Sequence, residues 1–171
     1  PEGSISFTSG YTNKLDTALK LEIEELKTTD KTTFKTILSD NMAMLEDEAI
    51  GELPASQWKN ITFENGMAIY NWRPTNTDDG EKNVYARFMD VAGNISDIYS
   101  ESIILDRTPP TGVVTYSVTE PTAGNVTVSL TMSDSNAVTL LNNNGNTSYV
   151  FNRNGEFEFV FMDAAGNKGR V

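Results

Sequence analysis

The sequence contains no cysteine and no histidine among its 171 residues. The first absence removes disulfides and thiolate chemistry. Together the two remove Ser-His-Asp and Cys-His catalytic sets and ordinary zinc sites. Positive charge is scarce as well: thirteen Lys and Arg face twenty-four Asp and Glu, for a net charge of −11. Nucleic acid and anionic membrane surfaces both need a basic footprint, so neither is expected as a partner. No apolar run approaches the ~18 residues of a membrane span, which argues against membrane insertion. Gly-rich phosphate loops are also missing. The chain opens Pro1-Glu2-Gly3, with neither an initiator Met nor a signal peptide. That opening leads us to expect a piece of a longer protein.

What is present is repetition. Phe88-Met89-Asp90-Val91-Ala92-Gly93-Asn94 recurs as Phe161-Met162-Asp163-Ala164-Ala165-Gly166-Asn167, with six of seven positions identical. Pro1, Gly3, Ile5 and Phe7 match Pro110, Gly112, Val114 and Tyr116 at the same spacing. Leu19, Leu21 and Ile23 match Val126, Val128 and Leu130. Two copies of one module are therefore expected, over 1–108 and 109–171, joined at Asp106-Arg107-Thr108-Pro109-Pro110. The paired prolines cannot donate ladder hydrogen bonds and stiffen the joint into an extended linker. The second copy lacks a counterpart of residues 41–58, and its last strand is short or truncated.

The periodicity is mostly two, the signal of half-buried strands. Val126 to Met132 alternates without a break, Phe157, Phe159 and Phe161 share a face, and so do Val84, Ala86 and Phe88. Asn65-Gly66, Asp79-Gly80, Asn144-Gly145 and Asn154-Gly155 lie between or near such runs and tolerate the positive φ of hairpin turns. The pattern predicts antiparallel sandwiches. Lys20–Lys27 has helical propensity, but the alternation of Leu19, Leu21 and Ile23 and the repeat assign a strand. A helix is expected only in the insertion, Asp40 to Leu53, where Met42, Leu45, Ala49 and Leu53 fall at helical spacing.

These residues carry a resemblance. Phe-Met-Asp-Xaa-Ala-Gly-Asn after an alternating strand, followed by Ile-Leu-Asp-Arg-Thr-Pro-Pro-Thr-Gly at a module junction, resembles the bacterial immunoglobulin-like (fibronectin type III-like) domains of surface and secreted proteins. The likeness covers residues 3–171 apart from the insertion. It implies an all-β fold of two tandem antiparallel Ig-like β-sandwiches, with a short helical insertion in the first. Such modules serve as stalks of adhesins, as parts of surface-layer proteins, and as spacers in extracellular carbohydrate-active enzymes. Some arrays of this type bind Ca2+ between modules, and the family's acidic positions would map onto Asp90, Asp106 and Asp163.

The residues also stand without the family. Phe88 and Phe161 anchor a core, Asp90 and Asp163 accept backbone N–H bonds of the following turn, and Gly93 and Gly166 take the left-handed backbone. Neighbouring acids such as Asp78-Asp79, Glu24-Glu25 and Glu46-Asp47-Glu48 form a solvated surface, since adjacent strand residues face opposite sides. A glycosidase would need two carboxyls facing across a cleft. No cofactor is expected; the one candidate ion is Ca2+, for which Asp90, Asp97 and Asp106 near one end of module one, with residues of the 110–112 linker, are the candidate ligands, because carboxylates are hard oxygen ligands. A glycan contact is expected at Tyr70 and Trp72. If Met67 and Ile69 point inward, that pair shares the outward face; in the competing account, Trp72 covers the core edge. The insertion carries Glu46, Asp47, Glu48 and Glu52 with no basic residue before Lys59, and the first module holds most of the excess charge: nineteen acids face ten bases up to Thr108, and five face three after it. The insertion either caps the sandwich or serves as a partner-binding arm.

The function expected from the sequence is a non-catalytic structural, spacer or adhesion module of a larger bacterial cell-surface or secreted protein, located outside the cell. An accessory carbohydrate-binding module of an extracellular enzyme and a surface-layer segment are the alternatives. The expected partners are other domains of the same chain and cell-wall or host glycan or protein.

Overall fold

The computed structural model describes residues 1–24, 32–46 and 53–171. The chain divides into two compact units, Pro1–Leu105 and Asp106–Val171.

In the first unit the strands are β1 (Gly3–Phe7), β2 (Tyr11–Thr12), β3 (Thr17–Ile23), β4 (Thr32–Ser39), β5 (Lys59–Phe63), β6 (Met67–Trp72), β7 (Gly80–Met89) and β8 (Tyr99–Leu105). They form one sheet in the order β1-β3-β6 and a second in the order β2-β8-β7-β4-β5. All pairings are antiparallel except the short parallel contact of β2 with β8. Alternation decides which face is buried. Leu19, Leu21 and Ile23 of one sheet meet Phe34, Val84, Ala86, Phe88 and Ile103 of the other in a single core. The strand expected from Leu19 to Ile23 is therefore formed, and helical propensity yields to a face that must be buried. Gly66 and Asn65 take φ of 76° and 52° in the two-residue turn between β5 and β6. Only Glu64 and Met67 pair across that turn. Beyond it β5 joins β4 and β6 joins β3, so one turn carries the chain from sheet to sheet.

The insertion differs from its expected form. Among the described residues it contains a 3-10 turn, Met42–Met44, and no α-helix; residues 47–52 lie outside the described residues. Asn41 caps the turn through its side chain, accepting from Ala43 N at 3.1 Å. The carbonyl of Leu45 accepts from Arg87 Nη1 at 2.9 Å. Leu45 is fully buried, whereas Met42 at the start of the predicted stripe is exposed. Leu45 and Trp58 pack with Ile37 of β4 in a second apolar cluster that also takes in Leu53, Tyr85 and Met89. The described ends of the segment thus cover a sheet face through the side chains of Leu45, Leu53 and Trp58.

The second unit has β9 (Thr111–Tyr116), β10 (Val126–Ser133), β11 (Thr139–Leu140), β12 (Ser148–Phe151), β13 (Val160–Met162) and β14 (Lys168–Arg170). Two three-stranded sheets, β9-β10-β12 and β11-β13-β14, are antiparallel throughout. The first repeats the pairing of β1-β3-β6: Val114 faces Leu130 as Ile5 faces Leu21. Phe159 and Phe161 are buried with Val128 and Leu130, and Tyr149 stacks on Phe157 with ring centroids 3.8 Å apart. The last strand, β14, has three residues where β8 has seven.

Candidate functional site

The duplicated heptapeptide forms the same corner twice. After β7, Asp90 Oδ1 accepts from the N–H groups of Ala92 and Asn94, both at 2.9 Å, and Oδ2 accepts from the Asn94 side-chain amide at 2.7 Å. After β13, Asp163 Oδ1 accepts from Asn167 N and Oδ2 from Asn167 Nδ2, both at 2.8 Å. In each copy the Asp N–H donates to the Asn carbonyl at 3.1 Å. Gly93 and Gly166 hold φ of 90° and 95°, where a Cβ is disfavoured. The side-chain and backbone hydrogen bonds from Asn94 hold the Asp90 carboxyl below its ordinary value.

The second copy adds to this corner. Asn167 Nδ2 also donates to the carbonyl of Asp106 at 2.8 Å. Asp106, just ahead of β9, Asp134, just after β10, and Asp163, just after β13, each bring a carboxylate oxygen within 4.8 Å of the others. Asp106 and Asp163 are only 5% and 4% exposed, which is rare for carboxylates. Asp106 accepts from Thr108 N at 2.9 Å and from the Asn136 side-chain amide, and Asp134 accepts from Asn136 N at 2.9 Å. Oxygens up to ~4.8 Å apart can share one Ca2+, whose ligands lie at about 2.3–2.6 Å.

Of the acids expected to form a metal site, Asp106 belongs to this cluster, whereas Asp90 and Asp97 belong to the first unit. Asp90 is engaged by its own turn, and Asp97 is exposed, its carbonyl accepting from Ser96 Oγ at 2.7 Å. Asp134 was missed by sequence reasoning. Its signal was available: Asp134-Ser135-Asn136 follows the alternating run of β10, whose Ser133 pairs with Thr111 at the start of β9.

Tyr70 and Trp72 share one face of β6, but it is the inward one. Directly opposed residues of an antiparallel pair lie on the same side of the sheet. Leu19 pairs with Tyr70 and Leu21 with Ala68, so the buried phase of β3 carries over to β6. Met67 and Ile69 are exposed instead, Ile69 at 66%. Trp72 is 5% exposed and lies against Phe7 with ring centroids 5.7 Å apart, so its indole face is not open for stacking on a sugar. Tyr70 is half-buried, its hydroxyl bonded to Lys59 Nζ. Both rings border a hollow of about 490 Å3 with Asp40 and Arg73. Burial acts to raise the Asp40 carboxyl, but its hydrogen bonds, chiefly with Thr75, leave it below its ordinary value. Arg73 is paired with Asp16 at 3.2 Å.

Among the described residues, no helix is long and apolar enough to cross a membrane. No family model and no curated protein matches the chain. A solved structure described as a tetra-tandem repeat in the extending region of a large adhesion protein is similar to it over 99% of this chain, at 17% identity and a TM-score of 0.33. The chain covers 48% of that structure's length.

Proposed function

We propose that the chain is a non-catalytic spacer or adhesion segment of a larger extracellular bacterial protein, built from two immunoglobulin-like modules. The observation that supports this reading is the duplicated corner. In both units the aspartate that a catalytic reading would need is committed to the turn that follows its strand. The repeated element is scaffolding, and the sheets on either side bury their aromatic residues on it. Pulling single molecules of the 171-residue chain by its ends tests the reading. Two separate unfolding peaks are expected, one for each unit. Extension without measurable resistance would exclude a load-bearing role.

A second reading rests on Asp106, Asp134 and Asp163. Three carboxylates held this close repel one another unless a cation intervenes, and Ca2+ is the hard-oxygen-preferring ion that suits them. Bound Ca2+ would then stiffen the second unit at the end where Asp106 enters it. A ligand of the native state raises its melting temperature. The melting midpoint is expected to rise with Ca2+ and to fall back with EDTA, and Asp134→Ala is expected to abolish the response. An unchanged midpoint rejects this reading and leaves the spacer role untouched.

A further inference from the structure

We propose that the second unit carries a binding groove for an uncharged oligosaccharide, at the end of its sheet away from the aspartate cluster. Tyr116 closes β9 and Val126 opens β10, whereas Asp106 and Asp134 lie at the other ends of those strands. The groove beside Tyr116 and Val126 has a volume of about 810 Å3, within the ~300–1,000 Å3 of sites that take small ligands.

Its apolar surface comes from Val126, Phe151 and Phe157. Phe157 is fixed by its stack on Tyr149, and Phe151 packs edge-on to Tyr149 at 4.9 Å. Tyr116 stands at the rim, 54% exposed. The exposed ring of Tyr116 is the one placed to stack on the C–H side of a pyranose, with Val126, Phe151 and Phe157 lining the floor.

The polar wall is a single run, Asn152, Arg153, Asn154 and Glu156. All four are exposed, and among the described residues none of their side chains is hydrogen-bonded to the protein. The contrast with Asn142, Asn143 and Asn167 of the same unit is plain, since each of those is tied to a backbone carbonyl. Arginine only donates, glutamate only accepts, and asparagine does both. Sugar hydroxyls require that mixture. Arg153 and Glu156 cancel in charge, so the wall has no surplus to hold an anion. A purely apolar ligand would leave the polar groups it covers unsatisfied.

The groove is distinct from the hollow beside Tyr70, and the assignment does not depend on the spacer reading. The test is a titration of the 15N-labelled 171-residue chain with neutral tetra- to hexasaccharides of the cello-, xylo-, manno- and chito- series. Amide shifts are expected at 116, 122–126 and 151–157. Affinity should fall about tenfold or more in Tyr116→Ala and in Arg153→Ala, both exposed positions that leave the core intact. Absence of shifts with every series would overturn the proposal. So would binding that survives both substitutions, or that is lost in Tyr70→Ala.

Discussion

A Cβ placed on Gly112 would lie 2.7 Å from Cζ of Phe161, and one on Gly3 would lie 3.2 Å from Cε2 of Phe88. The two glycines occupy equivalent places in the two units, and each makes room for the phenylalanine that opens the repeated heptapeptide. At Gly3 the added carbon would also come within 2.3 Å of the Glu22 carbonyl. Gly112→Ala and Gly3→Ala are each expected to destabilise their own unit by ~1–3 kcal/mol, the range for overpacking. Urea melts should show lower midpoints with unchanged slopes.

Phe159 is 2% exposed and shares its cluster with Val128, Leu130 and Phe161. Phe159→Ala is expected to cost ~3–5 kcal/mol, as other large-to-small core changes do. A loss under about 1 kcal/mol in a denaturant melt would contradict the burial of this ring.

Arg87 links two loops, donating through Nε to the carbonyl of Ser96 at 2.8 Å and through Nη1 to that of Leu45 at 2.9 Å. Arg87→Ala is expected to release the insertion from the sheet at a cost of about 1.5–3 kcal/mol for a charged hydrogen-bonding group. Trp58 packs in that second cluster. In a Trp72→Phe background its emission should shift to the red at lower urea than in the parent.

The depressed Asp90 carboxyl makes the first unit sensitive to acid. The hydrogen bonds from Asn94 favour the charged form, so their contribution is present above the ordinary aspartate value of 3.8. It is lost as the pH falls below that value and through the folded one. Following the Asn94 amide by NMR should give a midpoint below 3.8, and Asp90→Asn should remove that step.

Much of this architecture was legible because packing acts locally on strands. Leu19, Leu21 and Ile23 alternate, and so do Val126, Val128 and Leu130, so the strand period is readable in both copies; the match of Leu21 to Val128 was two residues off, since Leu21 faces Ile5 as Leu130 faces Val114. The phase of β6 was left open between two accounts, because Met67 and Ile69 look like core residues taken alone; the burial of Trp72 agrees with the one in which it covers the core edge. The fate of Met67 and Ile69 depends on register with β3, which no single run of residues specifies. The described start of the insertion was misread for a related reason: Met42 is exposed while Leu45 is buried and its carbonyl is held by Arg87, forty-two positions away, a partner that no local spacing reveals. Asp106 and Asp163 were visible at their turns, but the residue that completes their cluster, Asp134, comes from a third loop that only the fold brings alongside.

The apolar layer under the insertion has a counterpart nowhere among the described residues of the second unit. The smaller unit therefore holds its sheets together around one nucleus of side chains, and small units are the more marginal. This sets an expected order of failure: heat or denaturant should open the lesser unit while the greater stays closed. A fibre assembled from such unequal links would lengthen in steps under stress, its weaker members giving way and refolding before any stronger one fails.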